Sequence, residues 1–287
     1  MPDDRLTKND RRDAAREQAR LTREKQKRAE NLRRWLIPTG VTVVVVAIVA
    51  IVVLVVSMSA PPPQSKAGPK NMISDGILFT GSGGKMVPTT TGAVQASSNP
   101  TPNDQPKDGL AHIVTYVDFT CPACQAFEAT NADTLQQMVE QGTATLEVHP
   151  IAILDTHFTV GSRYSSRANN VGACVANFAP NSFYDVMKAM YAGQGKEQTA
   201  GLTNAQMVSI VHGAGLKNGD VDKCISGETF KSWVTSATIR SGKGPLPNTT
   251  VPNVAHTPTV LVNGQEYTGS LTDGAAFTDF VQQVLAG

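Results

Sequence analysis

The chain has 287 residues, 17% of them charged and 40% hydrophobic, and a formal net charge of +1. So near-neutral a total leaves no electrostatic footprint for a nucleic-acid partner, and the length suits one or two domains. Four cysteines are too few for a disulfide scaffold, although an even count is compatible with complete pairing outside the cytoplasm.

Residues 1–35 mix acidic and basic side chains, among them Glu17, Arg20, Glu24, Lys25, Arg28 and Glu30. Pairs three or four apart support a solvated helix with no apolar stripe, which reads as a cytoplasmic tail. Residues 36–56 carry no charge and are dominated by Val and Ile. As a helix they reach roughly 31 Å, close to the hydrocarbon thickness of a bilayer. The positive residues gather before this run, with Arg33-Arg34-Trp35 at its edge. The sequence therefore predicts a single-pass membrane helix in contact with lipid, its N-terminus cytoplasmic and the remaining chain extracytoplasmic. A cleaved signal peptide is the rival, with small residues at Ser57-Met58-Ser59-Ala60. The basic region is too long and the apolar run too extended for that rival to lead. Residues 57–107 read as linker, with a triple proline at 61–63 and a small hairpin of 77–80 and 85–87 around Gly81-Ser82-Gly83-Gly84.

The main domain is expected over residues 108–287. Residues 111–119 are rich in Val, Ile and aromatics without strict alternation, as in a strand buried on both faces. Pro122 opens a helical pattern that offers Phe127, Leu135, Met138 and Val139 to one side and stops at Gly142. Residues 143–154 form the next strand, interrupted at Pro150, which completes a βαβ unit. Residues 161–240 change to helical character, with a capping box at Thr203-Asn204-Ala205-Gln206 and a stop at Gly215. Strands at 259–262 and 266–268 join through Asn263-Gly264, and a last helix at 273–285 follows Thr272 as its cap. The class is α/β, in the order βαβ, helical insertion, ββα.

Cys121-Pro122-Ala123-Cys124 falls where a strand meets a helix. Disulfide exchange needs an accessible thiolate and a second thiol near enough to resolve a mixed disulfide. At a helix N-terminus the free N–H groups and the dipole lower the pKa of Cys121, and Pro122 fits the first helical position. Cys124, one step inward, becomes the resolving thiol. The competing zinc reading lacks a second cysteine pair, and His112, His149, His157, His212 and His256 show no ligand spacing. No metal or cofactor is called for. Cys174 and Cys224 are too far apart for a redox motif and are expected to bridge within the helical insertion in an oxidising compartment.

Residues 114–124, Val-Thr-Tyr-Val-Asp-Phe-Thr-Cys-Pro-Ala-Cys, resemble the active-site strand and helix of DsbA-like thioredoxin-fold proteins. Residues 257–264, Thr-Pro-Thr-Val-Leu-Val-Asn-Gly, resemble the same family's cis-proline strand and hairpin. His149-Pro150-Ile151-Ala152 and Tyr164-Ser165-Ser166-Arg167 are similar to its membrane-anchored actinobacterial members. The resemblance spans residues 108–287. It implies a thioredoxin-like fold with a helical insertion, and a cis Pro258 facing the cysteines. It also implies that Thr257 lends backbone groups to an unfolded, reduced exported protein as substrate, and that a membrane partner restores the disulfide. Two positions depart from the pattern: Thr115 stands where many relatives carry glutamate, and Ala123 where DsbA-like oxidants often carry histidine. Asp118 is the candidate proton relay in place of the missing glutamate. The leading reading is an oxidase of exported thiols. A reductase or isomerase of the same fold, and a membrane-anchored binding scaffold, are the alternatives, the last disfavoured by the presence of both cysteines.

Overall fold

The central strand β3 (Ala111–Val117) is buried along its whole length. Its odd-numbered residues Ile113 and Val117 enter the main core, while Val114 and Tyr116 enter a second cluster with Ile151, Leu246, Val254 and Leu261. Covering on both faces is why the sequence shows no polar alternation here. The computed structural model describes residues 67–287, together with residues 20, 23–25 and 27, which are helical. The candidate span at 36–56 lies outside the described residues, and among these no helix is long and apolar enough to cross a membrane.

Helix α1 (Pro122–Glu140) connects β3 to the parallel strand β4 (Ala144–Pro150). It ends where the Gly142 N–H donates to Val139 O and the Thr143 N–H to Met138 O, with Gly142 at φ 70°. That left-handed turn is open to glycine at little cost, so the sequence signal and the geometry agree. Five helices follow: α2 (Tyr164–Phe178), α3 (Phe183–Ala192), α4 (Asn204–Gly213), α5 (Gly219–Ser226) and α6 (Lys231–Lys243). The capping box at Thr203 and Gln206 is formed in full. Cys174 on α2 and Cys224 on α5, 50 positions apart in sequence, are joined by a disulfide. The chain returns through β5 (Thr259–Val262), antiparallel to β3, and β6 (Gln265–Glu266), and closes with α7 (Gly274–Ala286). Phe277 of α7 meets Phe127 of α1 edge-on at 5.4 Å, which locks the last helix onto the active-site helix.

Three details differ from the sequence expectation. The hairpin at the N-terminal side is part of the main sheet: β1 (Ile77–Ser82) and β2 (Lys85–Pro88) give the strand order β2-β1-β4-β3-β5-β6, with Ile77 opposite Val148. The described part of the expected linker is likewise tied down, by Gly68 N–H to Val94 O and Thr101 N–H to Ile73 O. Its polar, proline-containing composition reflects a coil that satisfies its backbone against the domain rather than in strands. The last helix is capped by Asp273, whose Oδ1 accepts from the N–H groups of Ala275 and Ala276, and not by Thr272. Finally, β6 begins one residue earlier than expected, because Asn263 and Gly264 alone form the turn, both at positive φ.

Candidate active site

Cys121 caps α1 and Pro122 takes the first helical position. The Cys121 Sγ accepts from the Cys124 backbone N–H at 3.5 Å and, as a thiol, donates to Thr257 O at 3.2 Å. The Thr257–Pro258 peptide bond is cis, and both residues are buried. The sheet thus brings together residues more than 130 apart in sequence, because β5 lies beside β3 and starts one residue after Pro258. Cys121 and Cys124 are both free thiols, 5% and 0% exposed.

The two sulfurs are electrostatically unequal. A hydrogen bond from Cys124 brings the Cys121 pKa down to about 6, against the opposing effect of burial, and the Thr257 hydroxyl and the backbone N–H groups of Cys124 and Ala123 add to the lowering. Burial pushes the Cys124 thiol well up, and its role as donor to Cys121 pushes it further. At neutral pH the pair therefore carries an ionised outer sulfur and a protonated inner one, the division of labour that nucleophilic exchange requires.

Thr115 is fully buried on β3 with an unpartnered hydroxyl, so no carboxylate occupies that position below the cysteines. Asp118 does not face solvent. It is 0% exposed, and its carboxylate accepts from Thr120 N and Oγ1, Leu154 N, Ser165 Oγ and Asn169 Nδ2. The motif at 164–167 is explained by these contacts: Ser165 holds Asp118, Ser166 Oγ donates to Asp155, and Arg167 donates to the carbonyls of Ser162 and Leu202. His149 stacks on Tyr116 and pairs with Glu147 on the opposite face of the sheet, away from the cysteines.

One ionisable group was missed from the sequence. Glu128 lies on α1 one turn after Cys124, buried, and lines a cavity of about 470 Å³ with Pro122, Gln125, Lys188 and Tyr191. Burial raises its pKa to about 8, partly offset by Lys188, and its Oε2 has no partner. A carboxyl whose folded pKa lies above its unfolded one holds its proton more tightly when folded. Stability is therefore unaffected at low pH and falls as pH rises from about 4.5 through about 8. By linkage the full cost is on the order of 5 kcal/mol. Glu128→Gln is expected to raise the urea midpoint at pH 8.5 and to leave it nearly unchanged at pH 4.5; an equal shift at both would show that ionisation is not the cause.

Comparison with known proteins agrees with this geometry. A family model described as thioredoxin matches residues 107–282. The chain belongs to the thioredoxin family. Among solved structures, reduced DsbA from Mycobacterium tuberculosis is similar at 27% identity and a TM-score of 0.52, over 74% of this chain and 93% of that one. The disulfide bond oxidoreductase DsbG from the same organism is similar at 26% identity and a TM-score of 0.50, over 73% and 87%. Oxidised BdbD from Bacillus subtilis shares the fold at 16% identity and a TM-score of 0.52, covering 78% of this chain and all of that one. No curated protein matches the chain. The DsbA-like resemblance read from residues 114–124 and 257–264 is thus upheld, and the chain is a protein thiol–disulfide oxidoreductase.

Proposed function

We propose that this oxidoreductase introduces disulfides into exported proteins, with Cys121 exchanging and Cys124 resolving. The observation that carries the reading is the lowered Cys121 pKa at the start of α1. Stabilising that thiolate stabilises the reduced enzyme, which makes its disulfide the better oxidant. The backbone at Thr257, next to Cys121 Sγ, offers strand-like pairing to an extended substrate peptide. The likeness to DsbA and DsbG supports a disulfide-handling role. The apolar run at 36–56 would tether the domain to the membrane beside a partner that reoxidises it. The absence of a histidine at Ala123 favours the reductase or isomerase reading, since no imidazole adds to the stabilisation of the thiolate.

Labelling in intact cells tests direction and location together. A membrane-impermeant maleimide should leave Cys121 unlabelled until an impermeant reductant is added, and label it afterwards. Labelling without reductant would indicate a reductase at steady state. Labelling only after lysis would place the domain in the cytoplasm.

A further inference from the structure

We propose that the cavity between α1 and α3 is a specificity pocket for the substrate polypeptide: it takes an arginine or lysine side chain near the exchanging thiol, with the Glu128 carboxyl as counter-ion and the Tyr191 hydroxyl as second acceptor. This rests on the reading of Cys121 as the exchanging thiol and adds the substrate feature that the site selects.

At about 470 Å³ the cavity falls in the size range of sites that hold a ligand group. One wall is a face of α1 on which Pro122, Ala126, Ala129 and Asp133 recur at helical spacing, and alanines at 126, 129 and 132 keep it free of bulk. The other wall is the end of α3, with Lys188, Tyr191 and Ala192. Pro122, Ala129 and Asp133 are exposed, so the rim runs along α1 from the residue next to Cys121. Glu128 lies seven residues after Cys121, about 10 Å along the helix, which an extended peptide covers in about three residues. The Thr257–Pro258 loop contributes nothing to the lining, so a peptide paired at Thr257 leaves the cavity free for a side chain.

The chemistry of the lining selects a cation. Glu128 and Tyr191 are its buried polar residues, 4% and 2% exposed, and neither Glu128 Oε2 nor the Tyr191 hydroxyl has a partner among the described residues. The other polar groups are occupied. Gln125 Nε2 donates to Tyr191 O at 2.6 Å and Thr130 Oγ1 to Ala126 O at 3.0 Å. Lys188 Nζ donates to Gln136 Oε1 at 3.2 Å and pairs with Asp185 at 3.4 Å. The charged groups at the cavity are therefore Glu128 and Asp133 of α1 and Lys188 of α3, the last matched by Asp185, so an ionised Glu128 leaves the cavity negative. A guanidinium offers five N–H donors and an ammonium three, enough to satisfy both open oxygens at once. An anion would meet Glu128, and an aliphatic side chain would leave both oxygens unpaired. Burial holds Glu128 protonated at neutral pH when no cation is bound, with a pKa of about 8; an arriving cation favours the carboxylate and sends the proton to solvent.

The test uses the reduced full chain and two peptides, each with a single cysteine capped by thionitrobenzoate. They are identical but for arginine or citrulline, its uncharged isostere, about three residues from the cysteine. The Cys121 thiolate attacks the peptide sulfur, the disulfide breaks, and thionitrobenzoate leaves with the electron pair as a coloured thiolate. Cys124 then closes the enzyme disulfide, and the peptide thiolate leaves and takes up the Cys124 proton. The readout is the ratio of the two release rates within each protein, which cancels changes common to both peptides. Wild type should favour arginine about tenfold, the size of one charged hydrogen bond. The ratio should rise between pH 6 and pH 8 as Glu128 ionises more readily. It should fall to about one, at every pH, in Glu128→Gln. Ala129→Leu, at the exposed rim, narrows the cavity without touching a titratable group and should give the same loss. A wild-type ratio near one overturns the proposal, as does a tenfold ratio that survives either substitution, which would place the effect of arginine on the peptide's own thiol or elsewhere on the surface. If neither peptide releases thionitrobenzoate, the exchange reading of Cys121 has failed; if both release it equally fast, only the pocket has.

Discussion

Cys121→Ser is expected to reduce exchange with a peptide thiol to the uncatalysed background, whereas Cys124→Ser keeps the first step and stops at a stable mixed disulfide. The difference follows from placement. Cys121 caps the helix, has a pKa of about 6 and lies against the Thr257 carbonyl, where a substrate sulfur can be delivered. Cys124 is fully buried with its pKa pushed up, so it reaches only a sulfur already bonded to Cys121. Serine at 121 has no thiolate to offer. Serine at 124 cannot attack the mixed disulfide, which then persists. Non-reducing electrophoresis with a labelled peptide reads both outcomes. Equal trapping by both variants would mean that the two cysteines are interchangeable, against the asymmetry described above.

Replacing Cys174 and Cys224 together by alanine is expected to cost about 4 kcal/mol in the chain-entropy model for a loop of this length. The bridge ties α2 to α5 across 50 residues of the insertion, and both cysteines are buried there. For a domain of this size the melting temperature should fall by on the order of 10 °C. Exchange at Cys121 should be largely spared, since the bridge touches neither α1 nor the Thr257–Pro258 loop. A melting temperature within a degree or two of wild type would show that the insertion is held by packing alone.

The elements with local signals were legible in the sequence. The Gly142 stop, the Thr203 capping box and the Asn263-Gly264 turn each need only residues a few positions apart, and the structure forms all three. The lack of alternation in β3 foretold a strand covered on both sides. Groups whose meaning depends on distant partners were not legible. Asp118 looks like a surface cap or relay until Leu154, Ser165 and Asn169 close around it from 36 to 51 residues away. Glu128, next to Phe127, looks like the solvent side of an amphipathic helix. It is buried because α3 covers a second flank of α1, where Lys188 and Tyr191 meet it across the cavity. The edge hairpin at 77–88 was separable from the main domain in sequence because its pairing strand β4 lies about 60 residues downstream.

Oxidative refolding tests the central claim most directly. Wild-type protein with its Cys121–Cys124 disulfide formed is mixed with a reduced, unfolded substrate whose activity requires native disulfides. Recovery of that activity, stoichiometric with loss of the enzyme disulfide and absent with Cys121→Ser, is the predicted result. No recovery, together with efficient reduction of insulin by the dithiol form and a potential near that of thioredoxin at about −270 mV, would contradict the oxidase account and assign the same site to reduction.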